Sequence, residues 1–397
     1  MNNRWAAITG MGVISCIGNN LNDFWSNLIA GKSGIKELKR FDTTGLRNSL
    51  MGEVTGIDFD IFSPGQDFAL AAVKEALNNS GAQEGGNFDL ITATNFAAAE
   101  SFEEFIAAED ENGNIDLEMR EYLEMSCYSN ANKYLRENID FLGTGDDYAL
   151  SLSCSSGTAA LGTALDLIRS GKSKRVVVVG YDSLNMLGMS GLSILRTITN
   201  ENIRPFDKNR SGTIFGEGAG ALIVEDLDET KKRDAKIFGT VCGYSVNNNA
   251  YHLTAPDKEG VGLIVLLERA LKDAGINAAD IDYVNAHGTA TAYFDVTETK
   301  AIKQVVGKNT PISSIKAATG HTMGAAGAIE AIATVMALQH SILPPTLNYV
   351  TEDPECDLDY ITEGARNIEK ANTAISISSG IGGNNSAVVL GREGNIK

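Results

Sequence analysis

The chain has 397 residues, 43% hydrophobic and 21% charged, with 33 Lys and Arg against 51 Asp and Glu for a formal charge of −18. It is long and apolar enough for two domains or one large duplicated one, which excludes disorder, and its acidity argues against nucleic acid or an anionic membrane as the main partner. Five cysteines, an odd number with no CxxC pair, exclude a disulfide-stapled scaffold and point to a reducing cytoplasm.

In chain order, Trp5 to Val13 reads as a Gly-broken apolar strand, too short for a signal peptide or a membrane helix. The acidic stretch Glu109 to Glu124 reads as an exposed flap or helical excursion. In Ala149-Leu-Ser-Leu-Ser-Cys154-Ser-Ser-Gly157 a strand ends on a thiol and small residues open a helix, with Leu161, Leu165 and Ile168 at helical spacing and Ser170-Gly171 as its stop. Arg175 to Val179 is a buried strand. Asp226 to Asp234 is a solvated charge run, readable equally as a surface turn or a hinge. Lys236 to Gly243 resembles the opening strand, Gly262 to Ala274 is a helix, and Ile281 to Asn285 is a strand ending near His287. Ala325 to Leu338 reads as a buried helix that includes Glu330. Thr373 to Ser378, a glycine-rich turn over Gly380 to Asn385, and Ser386 to Leu390 read as strand, turn, strand. The alternation predicts an α/β protein with parallel sheets in two related halves, 1–235 and 236–397.

A thiol at a helix N-terminus faces unpaired N–H groups and the positive end of the dipole, so Cys154 is expected to have a lowered pKa and to act as a nucleophile. Its small neighbours Ser153, Ser155, Ser156 and Gly157 let backbone come close to a bound group. Of four histidines, His287 and His321 follow strands and sit beside glycines, in Asn285-Ala-His287-Gly-Thr289-Ala-Thr291 and Lys316-Ala-Ala-Thr-Gly-His321. His252 and His340 have no comparable context, and Cys16 and Cys242 read as core filler. A Cys with two His is also a zinc ligand set, but neither His has HExxH spacing and Lys316 would repel a cation, so no metal is expected. Gly216 to Gly220 and Gly380 to Gly383 lack the features of phosphate loops and read as backbone bends close to the thiol.

Taken together these segments resemble the β-ketoacyl-acyl-carrier-protein synthases, specifically the elongating class with a Cys-His-His site. The resemblance runs through Thr9-Gly-Met-Gly12, Phe24-Trp25, Arg40-Phe41-Asp42, Arg204-Pro-Phe-Asp207, Gly216 to Gly220, His287-Gly-Thr289 with Asp295 and Glu298, Lys316 to Glu330, and Gly380 to Asn385. It implies a thiolase-like fold, two duplicated halves in an α-β-α-β-α arrangement, and usually a dimer. It assigns Cys154 as the acylated nucleophile, His287 and His321 as the pair that promotes malonyl decarboxylation, and Lys316 with its partner Glu330 as the charges beside them. Thr289 and Thr291 match positions that hold the phosphopantetheine arm, with Ser379, Ile381 and Phe294 at the substrate site. Backbone N–H groups of Cys154 and Ser379 would form the oxyanion hole. Substrates would arrive on acyl carrier protein, with no other cofactor.

Departures from the family pattern shape the expectation further. Ser379 stands where relatives have an aromatic gate, Phe294 and Tyr293 are bulky at the pantetheine mouth, and Ala93-Thr-Asn-Phe-Ala97 replaces a Gly-rich interface segment. Ile61 to Phe68 carries no Lys or Arg where relatives grip the acidic carrier, so docking is expected to be weaker, to use another surface, or to need a partner subunit. The reading is a decarboxylative condensing enzyme of fatty-acid or specialised polyketide/polyene synthesis, as a homodimer or a heterodimer with a chain-length-factor-like subunit. A non-catalytic chain-length-factor-like subunit and a malonyl-carrier decarboxylase are the alternatives.

Overall fold

A computed structural model of the chain describes residues 5–82, 87–110, 113–114 and 119–393. Ten strands form the main sheet: β1 (Ala6–Ser15), β2 (Asp89–Ala93), β3 (Asp147–Leu150), β4 (Arg175–Asp182), β5 (Gly218–Asp226), β6 (Gly239–Asn248), β7 (Tyr283–Asn285), β8 (Ile312–Ser313), β9 (Thr373–Ser379) and β10 (Asn384–Gly391). Their spatial order is β3-β2-β4-β5-β1 followed by β6-β10-β9-β7-β8. Read outward from β1 and from β6, the two series are the same. In the first, β3, β2 and β4 are parallel, while β5 runs antiparallel to both β4 and β1. The second repeats this, with β8, β7 and β9 parallel and β10 antiparallel to β9 and β6. Identical order and sense make the two series structural repeats, joined where Ala6, Ala7 and Ile8 pair with Val241, Thr240 and Gly239.

The sheet is therefore mixed and not parallel as the alternation predicts. For β9 and β10 the cause is local: a tight turn can join only antiparallel neighbours, and Gly380 to Gly383 closes β9 onto β10 with Gly382 and Gly383 at φ 90° and 77°. The corresponding β4 and β5 pair antiparallel across the long connection 183–217. The predicted strand from Lys236 begins at Gly239. The Asp226–Asp234 charge run folds as the helix Leu227–Lys232, because the Asp226 side chain accepts from the N–H groups of Asp228 and Glu229. The acidic stretch 109–124 lies partly outside the described residues; its end belongs to an exposed helix, Arg120–Met125.

Helix α1 (Pro64–Ser80) covers the outer face of the first series, and α3 (Val261–Ala274), with α4 (Phe294–Val305) against it, covers that of the second. Between the series lie α2 (Ser156–Arg169) and α5 (Ala326–His340), each touching strands of both. The result is the α-β-α-β-α layering. Helix α5 is buried from Ala326 to Leu338, the signature of a helix apolar on every side. Glycine sets how closely α2 and α5 approach: a Cβ on Gly157 would lie 2.7 Å from Ala328 N, and one on Gly327 would lie 2.3 Å from Thr158 N. Both helices follow a proposed site segment, Cys154 and His321, so this crossing brings the two ends together. No helix among the described residues is long and apolar enough to cross a membrane.

Candidate active site

Cys154 lies between the end of β3 and the start of α2, in a turn tied by its small neighbours. Ser156 Oγ donates to Ser153 O at 2.6 Å and accepts from Leu152 N at 2.8 Å, and Ser155 Oγ donates to Leu152 O at 2.6 Å. Ser153 takes φ 53°, left-handed backbone that a non-glycine residue adopts at a cost, and its Oγ donates to Ile381 O at 3.0 Å. The β9–β10 turn thereby presses on the thiol loop. A Cβ on Gly380 would sit 2.6 Å from Ser153 Cβ and 2.9 Å from Cys154 N.

His287 follows β7, and its loop hangs on one buried carboxylate: Glu298 of α4 accepts from His287 N at 2.7 Å and Gly288 N at 2.9 Å. His321 follows Gly320, which turns the chain at φ 72°. Its backbone N donates to Ile214 O at 2.7 Å and its O accepts from Gly216 N at 3.0 Å, while its ring stacks on Phe215 at 5.6 Å. The imidazoles meet edge to face, 5.3 Å between centroids at 86°, and Phe294 meets His287 the same way at 5.2 Å.

One cavity of about 430 Å³ is lined by Cys154, His287 and His321 together with Thr289, Thr291, Phe294, Ser379 and Ile381. Segments more than 130 residues apart thus converge, and every predicted nucleophile, imidazole and substrate-site residue faces one space. Thr289 and Thr291 hydroxyls are 3.1 Å apart on its wall. The Ser379 hydroxyl donates to Asn385 Oδ1 at 2.8 Å. The Ile381 backbone N–H has no backbone acceptor among the described residues, so the turn offers a donor at Ile381 beside the predicted one at Ser379. Lys316 and Glu330 do not line the cavity. They form an ion pair buried behind it, 1% and 2% exposed.

Burial decides the protonation states. It pushes the Cys154 thiol up to about 12, opposed by the Lys316 charge and by Asn95 Nδ2 at 3.9 Å from the sulfur. This corrects the expectation of a lowered pKa: desolvation by burial outweighs the Lys316 charge and the Asn95 contact that favour the thiolate, so the thiol is neutral at pH 7. Burial first, then Lys316, holds both His287 and His321 well below 6.5, His321 adding to the effect on His287. Both imidazoles are therefore neutral at pH 7, each with one N–H to donate. Among the described residues, no three His, Cys, Asp or Glu side chains converge as a metal-ligand set.

The sequence reading passes over Asp182. Buried at the end of β4, it accepts from Thr94 Oγ1 at 2.6 Å, Phe96 N at 3.0 Å and Gly324 N at 2.6 Å, tying the β2 loop to the segment after His321. Burial raises it to about 6. Nothing local in the sequence marks it, since its partners are 86 to 142 residues away. His252 lines the cavity as well, its Nδ1 accepting from Thr254 N and Ala255 N at 3.1 Å each. Its position before Thr254 and Pro256 gave no such signal. Gly216 and Gly220 do not approach the thiol as read from the sequence. They make room for Thr319 O and Ile329 N in the segment around His321.

The fold and the enclosed cysteine with paired imidazoles define an acyltransferase of the thiolase-like class. Residues 4–230 match the family described as beta-ketoacyl synthase, N-terminal domain, and residues 238–350 match beta-ketoacyl synthase, C-terminal domain. A 3-oxoacyl-[acyl-carrier-protein] synthase 2 of Vibrio cholerae is 32% identical, covering 99% of this chain and 100% of its own. A putative polyketide beta-ketoacyl synthase 1 of Streptomyces cyaneus is 33% identical over 98% of both. Among solved structures, the ishigamide ketosynthase/chain length factor superposes with TM-score 0.89 at 31% identity, covering 98% of this chain and 100% of the other. A type II polyketide ketosynthase in complex with its acyl-carrier protein gives TM-score 0.90 at 29% identity, with 98% and 99% covered. The chain belongs to the β-ketoacyl synthase family.

Proposed function

We propose that this chain performs a decarboxylative Claisen condensation of an acyl thioester with malonyl-acyl carrier protein. The observation that carries the reading is a pair of neutral, buried imidazoles 5.3 Å apart on the cavity that holds Cys154. Cys154 Sγ attacks the acyl thioester carbonyl, the carrier thiol leaves with the proton of Cys154, and the tetrahedral oxyanion is met by backbone N–H groups of Cys154 and the Ser379–Ile381 turn. Malonyl thioester then loses CO₂ as its C–C bond breaks, and the electron pair moves onto the thioester oxygen. Neutral N–H donors of His287 and His321 stabilise that developing charge, a role that protonated, hydrated imidazoles would fill less selectively. The enolate carbon attacks the acyl-Cys154 carbonyl, a C–C bond forms, the C–S bond breaks, and the Cys154 thiolate that leaves takes one proton from solvent. Lys316 biases the site electrostatically from behind, with Glu330 balancing its charge; Thr289 and Thr291 hold the pantetheine arm, and Phe294 and Ile381 shape its approach to the thiol. No resident cofactor is called for.

The carrier is an acyl carrier protein, and the assembly is a homodimer or a heterodimer with a chain-length-factor-like subunit, in the cytoplasm. Five free cysteines support the compartment. Incubation with acyl-carrier and malonyl-carrier proteins, followed by mass spectrometry, tests the reaction. An acyl adduct on Cys154 and a β-ketoacyl product are expected; an adduct on Cys127 or Cys242 overturns the assignment. A non-catalytic chain-length-factor-like role is disfavoured by the thiol and both imidazoles facing one cavity. CO₂ release without condensation would favour the decarboxylase reading.

A further inference from the structure

The wall of the cavity carries one permanently charged side chain, Arg196, and no Asp, Glu or Lys. The chain as a whole has a formal charge of −18, so the cavity wall differs in sign from the rest of the molecule. Most arginines here are committed: neighbouring Arg210, for example, pairs with Asp353 and donates to Asp207 O and Ala292 O. The Arg196 guanidinium makes no hydrogen bond or ion pair with any described residue. It is exposed, whereas Cys154, His287 and His321 are buried, so it stands at the solvent end of the passage.

Backbone bonds fix that end to the predicted pantetheine wall. Thr213 N donates to Thr197 O at 2.8 Å and Gly212 N to Ala290 O at 2.9 Å, so the residue after Arg196 is two strands' width from the Thr289–Thr291 segment. Arg196 also takes φ 55° just past the helix Met186–Ile194, its N–H bonded to Ser193 O. That left-handed place after a helix is ordinarily filled by glycine. A long cationic side chain is held there at a cost to the backbone.

Resting on the condensing-enzyme reading, we propose that Arg196 anchors the phosphodiester of the pantetheine arm at the cavity mouth. A guanidinium matches phosphate oxygens in a bidentate fork, and an anion entering here meets no carboxylate on the wall. The arm is then held at its outer end by charge and along its length by Thr289 and Thr291. One strong contact on the arm itself substitutes for part of the basic docking patch that the Ile61–Phe68 stretch lacks.

The test measures equilibrium binding of 4′-phosphopantetheine and of pantetheine to the full chain and to Arg196→Gln and Arg196→Lys. The phosphate is expected to tighten binding to the parent about tenfold or more, Arg196→Gln to bring that ratio close to one with pantetheine binding unchanged, and Arg196→Lys to restore part of it. A ratio that survives Arg196→Gln, or an equal loss for both compounds, overturns the proposal. Because the readout is binding, failure of the chain to condense malonyl-carrier substrates would reject the reaction and leave this result standing on its own.

Discussion

Gly380→Ala probes the contact on which the nucleophile's placement depends. Gly380 has φ outside the left-handed region, so alanine brings no backbone penalty there; the whole effect comes from its Cβ. That atom would lie 2.6 Å from Ser153 Cβ and 2.9 Å from Cys154 N, while ordinary contact begins at 3.4 Å, so about 0.8 Å must be found. Both opposing atoms belong to a loop pinned by three serine hydroxyl bonds and a left-handed Ser153, not to flexible side-chain ends. Overpacking of this kind costs about 1–3 kcal/mol of stability. A displacement approaching 1 Å at a reacting group costs about 10²-fold in rate. The assay is the rate of Cys154 acylation by an acyl thioester, followed by intact-protein mass spectrometry, with urea unfolding on the same sample. The expected result is a folded protein that acylates about 10²-fold more slowly. A folded variant acylating at the parent rate would show that the β9–β10 turn does not position the sulfur, and would refute the argument.

Cys154→Ala should form no acyl adduct and no β-ketoacyl product yet still release CO₂ from malonyl-carrier protein, whereas His287→Ala or His321→Ala should slow CO₂ release by about 10²-fold or more; headspace CO₂ measurement separates the two steps. Because both imidazoles are held well below 6.5, they protonate only as pH falls through those depressed values, so the CO₂-release rate should stay level from about pH 8 to about pH 6.5. An acid limb centred at 6.5 or above would contradict the neutral-donor role. Lys316→Met strands Glu330 in the core and should cost about 3–5 kcal/mol in urea unfolding, with Lys316→Met/Glu330→Leu recovering most of it; a double variant as unstable as the single one would mean that the pair is not what Lys316 stabilises.

Much of the chemistry is legible locally. Cys154 among small residues, and His287 and His321 beside glycines after strands, stand out because turns that admit a substrate need little bulk, and the helices that follow show their 3.6-residue period. The repeat was visible as the likeness between the strands at Trp5 and Lys236. Strand sense was legible only at the glycine-rich turn Gly380 to Gly383; β4 and β5 pair antiparallel across the long connection 183–217, and alternation in composition does not show the direction of such a pair. The Asp226 run hid a helix because a cap bond, not apolar periodicity, starts it.

Residue order alone determines which groups can react: a thiol and two imidazoles, each on a short segment between regular elements. Tertiary structure decides their protonation and their reach. Burial is a property of the assembled layers, so the thiol expected to be acidic is instead neutral, and both imidazoles are kept as donors. Asp182 likewise acquires its role only from partners 86 to 142 residues away, which no short window of sequence contains.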